Sequence, residues 1–506
     1  MKRAVVVGAG HNGLVAACAL ARRGWRVTVL ERRDVAGGAC VTEEMLPGFR
    51  VSSAAYSFSL FRPEIARELE LEHHGLRWYA KEPRMFVPLL DGRRFFVWRD
   101  EARTREEIAR VSVRDAEAYP RWNAFWDAVA EALRPMILTD RAPSLAEVER
   151  RMGAEMFALA VTGSAAETVS RFFDSEEVRG AFVGQGIIGT ALGPRAPGTA
   201  FVMSYHAFGG DLVDGAGTWA YVRGGMGGVT HALLSCARAL GVDVRTGVEV
   251  DRIVVEGGRA RGVLASGEEL PAGVVLSNAD PKRTYLGLVE ELPEEFAARV
   301  RAIPTPGSVV KVNLALDELP SFACLPGTEP GPQHAGTIEI SPSIDALDRA
   351  WSEAQDGRVS STPFMEVFIQ SVTDDSLAPP GKHVASCFAQ WAPPAVTADA
   401  WEAERERAGD AVLDALAAYA PNVRDAVLHR EVLGPPDLEA RFGLTGGNIF
   451  HGELLPDHVF GNRLGPRSPV RGLYLCGSGA HPGGGVSGAP GWNAAMAVAG
   501  DERRRR

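Results

Sequence analysis

The N-terminal stretch Ala4-Val5-Val6-Val7-Gly8-Ala9-Gly10-His11-Asn12-Gly13-Leu14 decides the fold. An apolar run that predicts a strand leads into glycines spaced as Gly-x-Gly-x-x-Gly, and a helical pattern follows as far as Arg23. In such a turn Gly8 allows the tight bend, Gly10 lets the backbone approach a pyrophosphate, and Gly13 lets the helix pack against the strand. The helix N-terminus offers free N–H groups to phosphate. The stretch therefore predicts a dinucleotide-binding unit.

A second apolar run, Val27 to Leu30, ends in Glu31, which lies 23 residues after Gly8. An acid about 20 residues beyond the first glycine binds a ribose hydroxyl in such units. An ordinary strand–helix–strand unit without a ligand would leave the three glycines unexplained, because glycine destabilises helices and strands. We therefore count Ala9, Asn12 and Arg32, which flank these positions, among the cofactor-binding residues.

A glycine pair, Gly37-Gly38, follows the acid. Such a pair is typical of the large FAD oxidoreductase superfamily, which this stretch resembles and in which it lets the chain pass close to the cofactor. A simple Gly-Gly turn is the alternative. The pair favours FAD over NAD.

Composition excludes several classes of protein. The chain has 506 residues, 46% of them hydrophobic, with a net charge of -10. An acidic chain binds nucleic acid poorly. No run of 18 apolar residues exists, so we expect no transmembrane helix, while peripheral contact with a membrane stays open. The six cysteines form no C-x-x-C or C-x4-C pair, which argues against a redox disulfide and a metal site and favours a reducing cytoplasm.

The middle of the chain contains both predicted strands and predicted helices. Asp91-Gly92 predicts a hairpin whose first strand, containing Pro88, lies at a sheet edge. Ser112 caps a helical pattern that Pro120 divides into two segments. Short strands from Val242 to Ser277 predict a return to the cofactor domain that brings Val248 near the adenine, with Asn278 after the last strand. The aromatic-rich loop 52–63 predicts either a pocket wall or plain core.

The residues divide into five predicted segments belonging to two domains. They are the cofactor domain at 1–75, 219–285 and 441–506, and the substrate domain at 76–218, largely helical, and 286–440.

The C-terminal region carries a second glycine motif, Leu475-Cys476-Gly477-Ser478-Gly479-Ala480-His481-Pro482-Gly483-Gly484-Gly485-Val486. We expect its apolar strand to return beside the N-terminal strand, as in FAD folds. Gly477, Ser478 and Gly485 then meet the ribityl phosphate and the flavin, and helix N–H groups near Val486 stabilise negative charge on the flavin.

Five motifs together resemble the phytoene-dehydrogenase-related FAD oxidoreductases over nearly the whole chain. They are the first glycine motif, Gly37-Gly38, Phe173-Asp174-Ser175-Glu176, Thr445-Gly446-Gly447-Asn448-Ile449-Phe450-His451 and the second glycine motif. The resemblance implies an α/β fold, with a Rossmann-like FAD domain of the glutathione-reductase type and an α+β substrate domain like that of amine oxidases and phytoene desaturases. It also implies non-covalent FAD. Ser478 stands where many FAD enzymes have Asp, and Ala39 where amine oxidases often have Arg.

The same resemblance suggests catalytic candidates. Lys311 matches the amine-oxidase lysine that reaches flavin N5 through water, although a strand lysine that extends to the surface is the alternative. His451 and His481 are further candidate bases, or else hydrogen-bonded core residues. The leading hypothesis is a dehydrogenase or desaturase that transfers hydride from an apolar or amphipathic small molecule to flavin N5, with oxygen or a quinone as acceptor. An amine oxidase, a flavin-bearing regulatory or interaction protein with slight activity, and a redox-neutral isomerase are the alternatives, and the oligomeric state stays open.

Overall fold

The computed structural model describes residues 2–215 and 217–505, which form a mixed α/β architecture. The strands are β1 Arg3–Val7, β2 Arg26–Leu30, β3 Thr42–Leu46, β4 Phe49–Ser52, β5 Trp78–Ala80, β6 Met85–Pro88, β7 Arg94–Val97, β8 Ala220–Val222, β9 Asp243–Arg245, β10 Val250–Glu256, β11 Arg259–Ala265, β12 Glu268–Pro271, β13 Val274–Ser277, β14 Val309–Leu316, β15 Thr337–Ile340, β16 Phe364–Phe368, β17 His383–Gln390, β18 Val427–Leu433 and β19 Leu473–Leu475.

Helices connect and cover these strands. They are α1 His11–Ala21, α2 Pro63–Glu68, α3 Glu101–Ala109, α4 Val113–Leu133, α5 Leu145–Met152, α6 Ala154–Phe157, α7 Ala165–Phe172, α8 Glu176–Val183, α9 Ala200–Ala207, α10 Gly227–Ala239, α11 Glu294–Arg301, α12 Pro332–Ala335, α13 Ile344–Gln355, α14 Ala398–Ala417, α15 Val423–Ala426, α16 Pro435–Phe442, α17 Pro456–Val459 and α18 Ala489–Arg505. Within the described ranges, no helix is both long and apolar enough to cross a lipid bilayer.

A five-stranded parallel sheet contains the first glycine turn. Its strand order is β19-β13-β1-β2-β9, and α1, α10 and α18 pack together against it through a shared apolar core. The strands are apolar because helices or other strands cover both faces, as is usual in parallel sheets. The expectation that β19 lies beside β1 is wrong. Strand β13 lies between them, because Ser277 pairs with both Val7 and Leu475.

A seven-stranded mixed sheet forms the second large unit, in the order β18-β14-β17-β16-β15-β6-β7. Directly opposed residues in neighbouring strands lie on the same face of a sheet. The register therefore places one row of residues on a single face, namely Leu433, Lys311, Phe388, Glu366 and Glu339. The alternate positions of β14 face a different apolar core, which includes α14.

Both large sheets draw strands from distant parts of the sequence. The parallel sheet takes its strands from 1–75, 219–285 and 441–506, and the mixed sheet takes its strands from 76–218 and 286–440. The division of the chain into two domains stays a prediction, and the small sheet of β5 and β8 joins residues from both predicted domains.

Two local predictions need correction. The hairpin at Asp91-Gly92 forms as expected, but β6 is an inner strand and β7 is the edge. Pro88 is tolerated because β15 pairs with β6 only near its start. The residues from Val113 to Leu133 form one helix that contains Pro120, and not two segments. Pro120 leaves the carbonyl of Ala116 without its usual helical donor, and the Arg105 guanidinium donates to it instead.

A substitution at Gly13 tests the close contact between α1 and the end of β1. A Cβ at this position would overlap the carbonyl oxygen of Gly8 and lie 3.1 Å from the Cβ of Asn278. We expect Gly13→Ala to lower the free energy of unfolding by about 1–3 kcal/mol, as overpacking does. Gly500→Ala, in a helix with open space around the added methyl group, is the matched control and should not destabilise. Thermal unfolding of both variants measures the effect, and equal midpoints would contradict the packing argument.

Candidate functional site

Three adjoining cavities run along the junction of the two large sheets. We call them the distal cavity (about 270 Å³), the central cavity (about 200 Å³) and the aromatic cavity (about 470 Å³). Gly10, Gly38 and Asn278 line both the distal and the central cavity. Tyr56 and Trp219 line both the central and the aromatic cavity. The shared walls place the three cavities side by side, in the order distal, central and aromatic.

The distal cavity lies at the carboxyl ends of β1 and β2, where parallel α/β sheets bind ligands. Glu31 lies on its wall and is buried. Its carboxylate accepts hydrogen bonds from the backbone N–H groups of Ala9 at 2.8 Å and Arg33 at 3.0 Å. A carboxylate has about four acceptor positions, so acceptor capacity remains for a ligand. Val248 lies beside it, with its N–H 2.8 Å from the Glu31 carbonyl oxygen.

Glycines let backbone and side chains meet closely between the distal and central cavities. A Cβ on Gly10 would lie 2.5 Å from the side-chain nitrogen of Asn278, so a larger residue there would displace that amide. Asn278 is held by its own N–H, which donates to the Val7 carbonyl at 2.8 Å. The turn of the first glycine motif and Asn278, the residue after β13, therefore form one continuous part of the cavity wall.

The two glycine motifs meet at the central cavity. The Asn12 side-chain nitrogen donates to the Ser478 hydroxyl at 3.1 Å, across 466 residues of sequence. Twelve of the predicted cofactor-binding residues line the distal or central cavity: Gly8, Gly10, Asn12, Glu31, Arg32, Gly37, Gly38, Val248, Asn278, Ser478, Gly485 and Val486. The other three, Ala9, Gly13 and Gly477, pack immediately behind that lining.

The polar atoms of the central cavity fit a large polar cofactor. His11 Nε2, Asn12 Oδ1 and His451 Nδ1 are buried and have no hydrogen-bond partner among the described residues. The N-terminus of α1 has no side-chain cap, which leaves its first N–H groups open. Unpaired buried polar groups are costly and rare in proteins, so a bound group that supplies hydrogen bonds fits this site.

Lys311 lies on the wall of the central cavity and is buried, with 1% of its surface exposed. Its ammonium group donates to Asn313 Oδ1 at 3.0 Å and to the hydroxyl of Ser386. Burial lowers the pKa of Lys311 to about 7. The lysine is therefore not the surface residue of the alternative interpretation. It can exist with or without its proton near neutral pH.

The two candidate histidines lie in different environments. His451 lines the central and distal cavities, and burial lowers its pKa to about 4, so its ring is neutral. His481 lies away from these cavities, where its Nε2 is 2.7 Å from the Met136 carbonyl and 3.2 Å from the Thr139 hydroxyl. The structure therefore does not support His481 as a catalytic base, and we assign it a packing role.

The aromatic cavity was not foreseen from the sequence. Three of its polar lining residues, Lys81, Gln185 and Glu366, were not among the candidates. One signal was available, because Glu366 interrupts the apolar sequence of β16 and charged residues are almost never fully buried unless they are paired. The loop 52–63 is partly pocket wall and partly core. Tyr56 and Leu60 line the central cavity, whereas Phe58 is buried in the core.

Comparison with known proteins agrees with this geometry. Residues 13–499 match the model of the family described as flavin containing amine oxidoreductase. The chain belongs to this family, which confirms the expectation of an FAD cofactor and of an amine-oxidase-like FAD fold. Within residues 2–215 and 217–505, no group of three His, Cys, Asp or Glu side chains is placed to hold a metal ion.

Individual relatives align with nearly the whole chain. Pyridine nucleotide-disulfide oxidoreductase domain-containing protein 2 of Mus musculus is 39% identical, covering 98% of this chain and 93% of the relative. The lycopene-forming phytoene desaturase of Pseudescherichia vulneris is 26% identical, covering 96% of each. These matches confirm the predicted resemblance. Wild-type putrescine oxidase bound to putrescine shares the fold, with a TM-score of 0.62, 18% identity and 99% coverage of both chains.

Neutral buried histidines make stability depend on pH. Burial lowers the pKa of His481 to about 4 from its ordinary value of 6.5. The unfolded chain therefore binds a proton at higher pH than the folded chain, and stability falls as pH falls from 6.5 to 4. At pH 5 this one group costs about 2 kcal/mol. We expect His481→Gln to show a smaller loss of thermal midpoint between pH 7 and pH 5 than the parent protein.

The exposed His73 provides the control for this measurement. His73→Gln should keep the full pH dependence of the parent. If the two variants lose the same midpoint on acidification, the argument from the buried ring is wrong.

Proposed function

We propose that the protein is an FAD-dependent dehydrogenase or desaturase acting on an apolar or amphipathic small molecule. The observation that carries the proposal is the row of three adjoining cavities, with Lys311 on the wall of the central one. The residues around Glu31 and Val248 would hold the adenosine end of non-covalent FAD, and those around Ser478 and Val486 the flavin end. Bound flavin supplies the redox chemistry by accepting a hydride at N5.

The chain's own residues position the substrate and manage protons. Lys311 Nζ, anchored by Asn313 and Ser386, can hold a proton or accept one, since its pKa is about 7. Neutral His451 is another group on the wall of the central cavity that can take a proton, at Nδ1. A desaturation needs no strong base, so either group suffices for the second proton. A substrate that fills the aromatic cavity would displace its water, which would strengthen the electrostatic interactions inside.

The aromatic cavity supports an apolar or amphipathic substrate. Its wall includes a set of large apolar rings: Trp98, Tyr119, Trp122, Trp126, Phe182, Trp219 and Phe368. Ligand pockets that bury most of a small molecule are lined in this way, with a few polar groups for orientation. Oxygen or a quinone is the proposed acceptor, because the sequence has no second dinucleotide fingerprint for NAD(P). The free cysteines favour a cytoplasmic location.

A flavin amine oxidase is the second candidate. The family description and the putrescine oxidase fold support it, together with the buried Lys311. Ala39, on the wall of the central cavity, argues against it, because the amine oxidases that the sequence resembles often have Arg there.

Glu31 provides the test of cofactor binding. We expect the purified protein to be yellow and Glu31→Ala to raise the Kd for FAD by about 10- to 100-fold, because a hydrogen bond to a charged group contributes about 1.5–3 kcal/mol. Glu31→Gln keeps an acceptor for the Ala9 N–H and should lose less affinity. The exposed Glu256 gives the control Glu256→Ala, which should bind FAD as the parent does. Colourless protein that ignores added FAD would contradict the proposal.

Anaerobic bleaching of the flavin distinguishes the two candidate activities. We expect members of a library of terpenoid and long-chain compounds to reduce the flavin, measured as the loss of its visible absorbance. With the best compound, Lys311→Met should slow bleaching by about 10²-fold and remove the pH dependence near 7. Bleaching by amines alone, with peroxide release in air, would favour the amine oxidase.

A further inference from the structure

Among the polar residues on the wall of the aromatic cavity, five form one compact group. We call Tyr56, Ser57, Lys81, Gln185 and Glu366 the polar cluster. All five line the aromatic cavity, and Tyr56 and Ser57 also line the central cavity. The cluster therefore lies at the inner end of the aromatic cavity, where it joins the proposed flavin site.

Lys81 is the donor of the cluster. Its ammonium group donates to the hydroxyls of Ser57 at 3.0 Å and Thr337 at 3.1 Å, and only 1% of its surface is exposed. It also lies 4.2 Å from the centre of the Phe368 ring. A lysine ammonium has three N–H donors, and two are used. Burial lowers the pKa of Lys81 to about 7, although the Glu366 carboxylate opposes this shift.

Glu366 is the acceptor of the cluster. It accepts from Gln185 Nε2 at 2.7 Å and from the Tyr56 hydroxyl at 3.3 Å. Glu339 lies directly opposite it in the neighbouring strand, fully buried, and neither of its carboxyl oxygens has a hydrogen-bond partner among the described residues. Burial and the Glu366 charge raise the pKa of Glu339 well above its usual range. Glu339 is therefore held in its neutral form. Burial also raises the pKa of Glu366, and the Lys81 ammonium opposes this rise, so Lys81 and Glu366 each favour the charged form of the other.

This arrangement contributes little to stability. Buried charges are expensive unless they are closely paired, and Lys81 forms no direct ion pair among the contacts of the described residues. Both charged groups face the same cavity. A buried ionisable group on a cavity wall that has no direct ion-pair partner is a candidate for ligand binding.

We propose that the polar cluster binds a neutral oxygen-bearing group of the substrate, a ketone or a hydroxyl, through the third N–H of Lys81. This inference rests on the proposed function of the central cavity. Lys81 disfavours a cationic head group at this point, and Glu366 disfavours an anionic one. A pure hydrocarbon would leave the Lys81 donor unused, and an unmade hydrogen bond is costly.

The sheet register explains how such a subsite selects the reacting bond. Glu366 and Lys311 lie in one row, two strands apart, which is about 10 Å. A molecule whose oxygen is held at Lys81 then extends toward the central cavity. The oxygen orients the substrate, and the C–H bond that is oxidised lies elsewhere in the same molecule.

Binding of matched probes to the FAD-loaded protein tests the proposal. The probes are 2-decanone, 1-decene, decylamine and decanoate, and binding is followed by the flavin absorbance and by tryptophan fluorescence. We expect 2-decanone to bind about tenfold more tightly than each of the others, the effect of one hydrogen bond to a charged donor. Lys81→Met should abolish this preference and keep its FAD, because Lys81 lies outside the lining of the central and distal cavities.

Two further variants complete the test. Arg99→Met, at an exposed position on the same cavity wall where Arg99 bonds Asp214, is the matched control and should keep the preference for the ketone. Glu366→Gln removes the negative charge, so decanoate should bind about tenfold more tightly than it binds the parent. This variant provides an independent test if Lys81→Met does not fold.

The outcomes separate this inference from the proposed function. Protein without flavin would refute the proposed function, and with it the basis of the inference. Flavin-bound protein that binds all four probes within a factor of two would overturn the inference alone. A preference for decylamine would also overturn the inference. A preference for 2-decanone that persists in Lys81→Met would overturn it as well.

Discussion

The close contact of three chain segments around Asn278 is the constraint on which the site depends. The side chain of Asn278 lies against Gly8, Gly10 and Gly13 of the first glycine motif, where an added Cβ would come within 3.4 Å of it or closer. Its carbonyl oxygen would lie 2.5 Å from a Cβ on Gly477 in the second motif. Glycine is needed on both sides because the Asn278 side chain on one side and its carbonyl oxygen on the other fill the space that a methyl group would take. The spacing of glycines in two distant motifs thus has one physical cause.

The sequence predicts the parallel sheet better than the mixed sheet for a physical reason. The turn at Gly8 and the acid at Glu31 are local features, so their spacing shows in the chain without any knowledge of packing. The order of the mixed sheet depends on pairing between strands from distant segments, and no local pattern encodes it. The prediction that the strand containing Pro88 lies at a sheet edge was wrong for this reason. Its parallel partner β15 lies more than 200 residues further along the sequence. Lys81 was missed because its importance comes from neighbours that only the fold supplies.

One face of the mixed sheet carries most of the unusual electrostatics. Lys311, Glu366 and Glu339 lie in a single row on one face, where Lys311 and Glu366 line the cavities, whereas the opposite face of β14 is apolar core. Burial lowers the pKa of Lys311 and raises the pKa values of Glu366 and Glu339, so desolvation moves each toward its neutral form. Concentrating ionisable groups on one buried face is costly for folding. That cost is typical of functional sites, where perturbed pKa values cluster.

The same architecture links cofactor binding to the stability of the junction. The walls of the distal and central cavities come from segments at the start, the middle and the end of the chain, joined by contacts such as that of Asn12 with Ser478. A ligand that binds only the folded state adds RT ln(1 + [L]/Kd) to its stability. Because the unpaired atoms His11 Nε2 and His451 Nδ1 lie on these walls, a cofactor that bonds to them would remove a cost as well as bridge the segments. The glycines of the two motifs lower the stability of the separate helices and strands. Cofactor binding at the same place therefore offsets part of that loss of stability.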